Sequence, residues 1–589
     1  LEHRFLVLSY KFYNRLLIFL FLGMTFITGQ PQPSPDSLSS DPLYHIGAWH
    51  ALPIDDVGDI FDYSPNYQLF DFLDYGRPRY SAPLNMLPQQ LEVYRDDWQQ
   101  NDRLNGMYNS RLLSIDMINT LKPLALSPSA IQYKNRNNAP KEPFSRIRYW
   151  EGDYGSFDLS LLLSERLTPK TDLYLAGFNR GYDGFWSNSA YTGVKYDGRL
   201  VFYPDVKHTL IFSYGLNRQK SGMQNISAYP DYSRSNYRDY YGIEFKEQSD
   251  SSHGFSAGLH FTGVRRTVHS KPDSFELLHR YDQWRFYLQK NIQGQRQNWK
   301  LRFLINQTYV WGTAYSSPKS INRFWLNIQQ HLKWSNHIDL RNIVSVIQEN
   351  NHKVVYLLGS QLRHQSTDGR ERLRAGFSFR QRLPDIAERY FNAYGFKGNA
   401  TIRPEAIIDL YSAYSTRLAR AFKLNGRMGY KQVKDEILLS GSGFKNGATR
   451  SWGYLQAGGS WKVWKLHLRG LGHMLLTKEM IAPQSAVTFA LSYHDVWLKG
   501  ALILDLSAMA SWNGSANKMF FNPIVERFYW NDQKKASYRQ YNLKAVATVD
   551  EARLYFMVEN PFATNYHIIE GYNAYVRRIR FGINWDFWN

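Results

Sequence analysis

From about residue 145 to the last residue the chain alternates apolar and polar positions with a period of two, segment after segment. In "SFDLSLLLSERL", Phe157, Leu159, Leu161 and Leu163 share one face. In the terminal "RRIRFGINWDFWN", Ile579, Phe581, Ile583, Trp585 and Phe587 form a wholly apolar face, and Arg578, Arg580, Gly582, Asn584 and Asp586 a polar one. A period of two is that of a β-strand with two unlike faces. Tight turns such as "TPKTD" and "PDVKH" alternate with longer polar connections such as "NRQKSGMQNISAYPDYSRSNYRD". Short turns at one end and long loops at the other mark a transmembrane β-barrel, in which one face meets lipid and closure removes every sheet edge. The stretch holds roughly 20 to 24 candidate strands, which suits a large barrel of about 22. A β-propeller would need a repeat of about 40–50 residues, and the sequence has none.

Composition agrees. The 589 residues contain few linker-like stretches, and 42 Tyr, 35 Phe and 17 Trp suit strands and membrane interfaces. A mean hydropathy of −0.49 is too low for a polytopic helical membrane protein. The absence of cysteine excludes disulfides, thiolate metal sites and a cysteine nucleophile. The net charge of +20 raises nucleic-acid binding, but no Lys/Arg block or nucleic-acid motif supports it. The charge instead suits an electropositive lumen, or arginines facing anionic lipid.

At the N-terminus, Lys11 and Arg15 precede the apolar run "LLIFLFLGMTFITG", the layout of a secretory signal peptide cleaved near Gly29. Residues 30–44 are Pro/Ser-rich and read as flexible. Residues 45–140 read as a small mixed domain, with "DDVGDIFDYS" as a short amphipathic helix and "LEVYRDDW" as a strand running into a turn. The barrel then occupies 141–589.

Three stretches resemble the TonB-dependent outer-membrane receptors. "FRQRLPDIAERYFNAYGFKGNATIRPEAIIDLY" is similar to their mid-barrel segment, matching at Pro384, Glu388, Arg389, Gly398, Asn399, Ile402, Pro404 and Glu405. The tail "VENPFATNYHIIEGYNAYVRRIRFGINWDFWN" resembles their closing hairpin, with Arg578, Phe581, Trp585 and Phe587 in place. The resemblance implies that this last strand is read by the outer-membrane assembly machinery. "QQLEVYRDDWQQNDRLNGMYNSRLLSIDMINTLKPL" is similar to the family's plug domain through Asp96, Asn101, Asp102, Ile115 and Ile118. The plug departs from the family pattern. Its Asp-Gly turn is Asp96-Asp97, and the usual glycine-rich stretch is "LALSPSAIQYKN". No stretch near the N-terminus reads as a TonB box.

No catalytic motif is present. "LSGSGFKNG" is not a nucleophile elbow, and no zinc, P-loop or EF-hand pattern occurs. The sequence therefore implies no enzyme, no cofactor and no metal site. Aromatic and basic segments are the candidate ligand contacts, because stacking rings and hydrogen-bonding arginines suit a glycan or an anionic chelate. They are Arg180, Tyr182, Phe185 and Trp186; Tyr229, Tyr232, Arg234, Tyr237, Arg238 and Tyr240; and Trp512, Phe520, Phe521 and Trp530, all read as loop residues. The competing reading assigns such residues to the interfacial girdle.

The expected protein is a monomeric outer-membrane barrel with an N-terminal plug. By family resemblance it takes up a metal chelate, corrinoid or glycan fragment with TonB as partner, with or without a capping surface lipoprotein. A passive anion-preferring channel and a non-transporting surface-binding barrel are the alternatives.

Overall fold

A computed structural model describes the chain within residues 86–106, 118–135 and 142–588, apart from short stretches that include 223–230, 271–274, 478–480 and 574–576. The signal peptide, the 30–44 segment, the 55–64 helix, Asp96, Ile115 and Tyr229 lie outside the described residues.

Twenty-two antiparallel strands close into one barrel. The first, Phe144–Gly152, pairs with the last, Arg578–Trp588, from Phe144 opposite Trp588 to Gly152 opposite Arg580. Closure leaves no unpaired edge, the condition for backbone in a lipid environment. The alternation read from the sequence is realised at this seam. Phe581 and Trp585 are exposed on the outer face, while Arg578, Arg580, Asn584 and Asp586 are buried on the inner one. Inside, Arg146 bonds Asp586 in a fork at 2.5 and 2.9 Å, so the closing strands are tied by charge on one face and lipid contact on the other.

Connections at one end of the barrel have two to five residues, whereas those at the other end reach the 383–404 and 514–537 loops. The loops are shorter than their polarity suggests. Of the polar stretch 217–239, only 223–231 connects strands, because His208–Gly222 and Tyr232–Asp250 run into it from both sides. Tyr232, Arg234, Tyr237, Arg238 and Tyr240 are therefore strand residues, as are Arg180, Tyr182 and Trp512. A strand lining a wet lumen carries as much polarity as a loop, so polarity alone cannot separate the two.

Inside the lumen lies a four-stranded sheet, β1 (Glu92–Arg95), β2 (Trp98–Gln99), β3 (Ile118–Leu124) and β4 (Ser127–Asn135), in the order β2-β1-β4-β3 with β1 and β4 parallel. The strand read in "LEVYRDDW" is β1, which lies between β2 and β4. This plug is held to the wall by Arg380 and Glu92 (3.0 Å), by Arg285 donating to the Gln99 carbonyl (3.0 Å), and by Arg95 over the Tyr240 ring (4.2 Å).

Candidate functional site

The plug ends toward the loops in a tight turn over residues 101–106. The Asp102 carboxylate accepts from the Leu104 N–H (2.8 Å), and the Gly106 N–H donates back to the Asp102 carbonyl (2.8 Å). Gly106 has φ +67°, and a Cβ there would lie 2.2 Å from an Asp385 carboxylate oxygen, so the turn needs glycine for both conformation and space.

The long loops fold inward onto this tip. In the 383–404 loop a short helix, α1 (Ile386–Tyr390), starts at a reciprocal cap in which the Asp385 N–H donates to Glu388 (2.7 Å). Its free first-turn amides bond the plug: Ile386 N–H to the Arg103 carbonyl (3.3 Å) and Ala387 N–H to that of Leu104 (2.9 Å). Leu104 is thereby buried in an apolar core made by Ile386, Ala387 and Phe391 of the loop and by Val264, Leu277 and Val310 of the inner wall.

Around that core runs a ring of buried ion pairs. Glu526, at the tip of the 514–537 hairpin, bonds Arg234 (2.6 Å), Arg266 and the plug's Asn105 (3.1 Å), and Arg266 also bonds Asp102. Burial pushes the Glu526 carboxyl up, but the guanidiniums of Arg266 and Arg234 outweigh it and hold it at about 2. Glu349 gathers Arg389 (2.5 Å), Arg323 (2.6 Å) and the plug's Arg103 (3.6 Å). Burial lowers Arg103 to about 10. Arg527 and Arg382 share Asp385 and Glu388. Burial works against the charged form of both acids. The two guanidiniums nevertheless keep Glu388 below the usual carboxylate range, whereas Asp385, next to Glu388, rises above it. Glu405 takes Arg382 (2.7 Å), the Ile437 N–H (2.6 Å) and the plug's Gln90 (3.4 Å).

The motif residues Glu388, Arg389 and Glu405 thus fasten the loops and the plug together. Pro384, Gly398, Asn399 and Pro404 shape the same loop, in which the Asn399 N–H bonds the Glu388 carbonyl (2.8 Å).

The candidate ligand residues scatter. Tyr232 and Arg234 join the closed mouth, Tyr232 donating to the Pro523 carbonyl (2.6 Å). Arg180 pairs with Asp158 inside the wall (2.6 Å), and Tyr240 donates to Asp197 (2.7 Å). Phe185 and Trp186 cluster with Tyr154 over a neighbouring loop, and Tyr182 is buried beside them. Phe520, Phe521 and Trp530 lie on the 514–537 hairpin. Tyr237 and Trp512 stand exposed on the outer face. The residues that close the mouth, Glu526, Arg266, Arg103 and Glu349, carry no sequence signal beyond their charge.

No family model and no curated protein sequence matches the chain. Solved structures do. A mutant form of the ferric enterobactin receptor of Pseudomonas aeruginosa aligns over 85% of this chain and 91% of its own, with a TM-score of 0.71 and 14% identity. The siderophore receptor of Acinetobacter baumannii gives 85%, 91%, 0.70 and 12%, and the FrpB iron transporter of Neisseria meningitidis 86%, 94%, 0.69 and 11%. The chain has the fold of the TonB-dependent receptors. Its short turns at one end and long loops at the other are the asymmetry of outer-membrane barrels, in which the loops face the exterior and the turns the periplasm. The structures it resembles are receptors and a transporter, not enzymes.

Proposed function

We propose that the protein is an outer-membrane receptor that imports a scarce nutrient too large for porins, a metal chelate, corrinoid or glycan fragment, with energy delivered to the plug through TonB. The observation that carries the reading is the plug tip: a separate four-stranded sheet contacts the inner wall, and its apex is gripped by loop backbone and buried charge. A passive channel gains nothing from such a seal, whereas a receptor needs one that opens only when driven. Among the three ligand classes a ferric chelate is the first to test, because the receptors of the same fold named above bind or carry iron compounds.

In planar bilayers the full chain is expected to be silent, and a version lacking residues 30–140 to open a large pore. Steady current through the full chain would favour the anion-preferring channel instead. In cells, uptake of a radiolabelled ferric chelate should stop when the proton-motive force is collapsed. Chelate binding that neither leads to uptake nor responds to that force would point to a surface-binding barrel.

A further inference from the structure

The outer face of the strands His208–Gly222, Tyr232–Asp250, His253–Ser270, Phe275–Gln293 and Gln297–Trp311 can be read row by row, because their cross-strand partners are aligned. One row, Tyr214–Tyr241–Phe261–Trp284, is a continuous aromatic belt with ring centroids 5.3, 6.2 and 4.9 Å apart. Toward the periplasm the next rows are apolar: Phe212–Ile243–Leu259–Phe286–Ile305, then Leu210–Phe245–Ala257–Leu288–Phe303. The belt therefore marks the exterior edge of the hydrocarbon layer.

Two rows further out, about 13 Å along the strands, the same face carries Arg218–Tyr237–Arg265–Arg280–Trp311. Arg265 and Arg280 stand directly opposite one another, a like-charge pairing that Asp239 and Asp282, one row below, offset only from the Arg280 side. Arg218 lies over the Tyr237 ring at 5.3 Å and Arg280 over the Trp311 ring at 4.6 Å. The aromatic faces hold both guanidiniums in place. All three arginines are exposed, and among the described residues none makes an ion pair or a side-chain hydrogen bond. Lys220 adds a fourth exposed cation one row further out. Between belt and arginines, Asp239 and Asp282 lean over Gly263, their oxygens 2.5 and 3.5 Å from where a Cβ would stand. These carboxylates repel an anion from the layer below, so its place is at and beyond the arginine row.

We propose that this row binds the phosphorylated headgroup of an outer-leaflet glycolipid, with phosphate oxygens bridging Arg265 and Arg280 and acyl chains lying down the apolar rows beneath. Arginine forks match phosphate bidentately, and headgroup depth is where such anions stand. The continuity of the row with the lipid-facing band selects a lipid as the occupant, since the same molecule satisfies both surfaces. The inference rests on the outer-membrane placement and not on nutrient transport.

The test uses the full chain in detergent micelles, with bound lipid counted by native mass spectrometry. The probes are diphosphorylated lipid A and the same lipid with its phosphates removed. The wild type is expected to retain the diphosphorylated form about tenfold better or more. R218Q/R265Q/R280Q should lose that preference, and R218K/R265K/R280K should recover most of it, since a point charge still meets the phosphate. A heat-modifiable gel shift identifies folded barrels, and the lysine variant keeps the comparison valid should the glutamine variant fold poorly. Equal retention of the two lipids by the wild type, or a preference untouched by the glutamine variant, would overturn the proposal. So would a protein dimer that the glutamine variant abolishes, because the row would then be an interface between two copies.

Discussion

The two ends of the lumen are built on opposite principles. At the exterior end the described guanidiniums around the plug tip meet buried carboxylates, and Leu104 of the plug sits in an apolar core. At the periplasmic end the wall carries Arg341, Arg363, Arg372 and Arg374, half-exposed, with Asp339 as the neighbouring carboxylate. There Arg363 faces Arg374 directly across two strands. Like charges side by side are tolerable where water and salt reach them and intolerable where they do not. The exterior end is therefore a packed, charge-paired contact between loops and plug, whose opening must break specific bonds. The periplasmic end is a half-exposed wall with four arginines around one carboxylate.

The largest effect should come from Glu349, which holds three arginines, one of them on the plug. Glu349→Ala leaves those cations buried without their partner, a loss on the order of 3–5 kcal/mol. Hydrogen exchange should rise sharply across 383–404 and 101–106 while barrel strands stay protected. If those segments exchange as in the wild type, the seal is not held by charge. Next comes Leu104→Ala, which empties the core at the plug tip and should cost about 2–4 kcal/mol. Proteolytic cutting of the plug in folded protein would report it. A truncation that leaves cutting unchanged would mean that the ion pairs alone suffice.

Acid should separate the two ends. The Glu526 carboxyl is held at about 2 in the folded protein, below its ordinary value near 4.5. A depressed pKa means that its stabilisation is complete above the ordinary value and disappears as pH falls toward 2. The hairpin contact should thus be constant from pH 8 to about 5 and weaken only below about 4.5. Because the chain has no cysteine, a spin-label pair placed on the hairpin and the plug can follow that distance. Separation already at pH 6 would mean that Glu526 is not the group that holds the hairpin.

Much of this architecture was legible because its rules are local. Alternation, turn spacing and the polar face of the last strand gave a barrel of about 22 strands and the correct lipid side of Phe581 and Trp585. The mouth was legible only in part: Asp102, Glu388, Arg389 and Glu405 carry the family pattern, whereas Arg266, Glu349, Asp385 and Glu526 are ordinary charged residues far apart in the chain, and only barrel closure brings them together. Placement within the barrel was not legible either: Tyr237 and Trp512, read as loop residues, lie on strands and stand exposed on the outer face. One-residue parity decides that, and it can be read only once the strand's start is known.

The smallest expected effect sharpens the contrast most. Arg363→Gln removes one member of the cross-strand like-charge pair with Arg374 and should stabilise the barrel by about 0.2–1 kcal/mol at low salt. The gain should vanish as added salt shortens the screening length from about 30 Å at 0.01 M to about 3 Å at 1 M. Heat-denaturation midpoints of wild type and variant, compared at those two salt concentrations, measure it. At the exterior end the same salt step should leave the effect of Glu349→Ala almost intact, because its ion pairs are shielded from solvent. If Arg363→Gln destabilises at both concentrations, its contact with Asp339 outweighs the repulsion from Arg374, and the two ends of the lumen follow one principle after all.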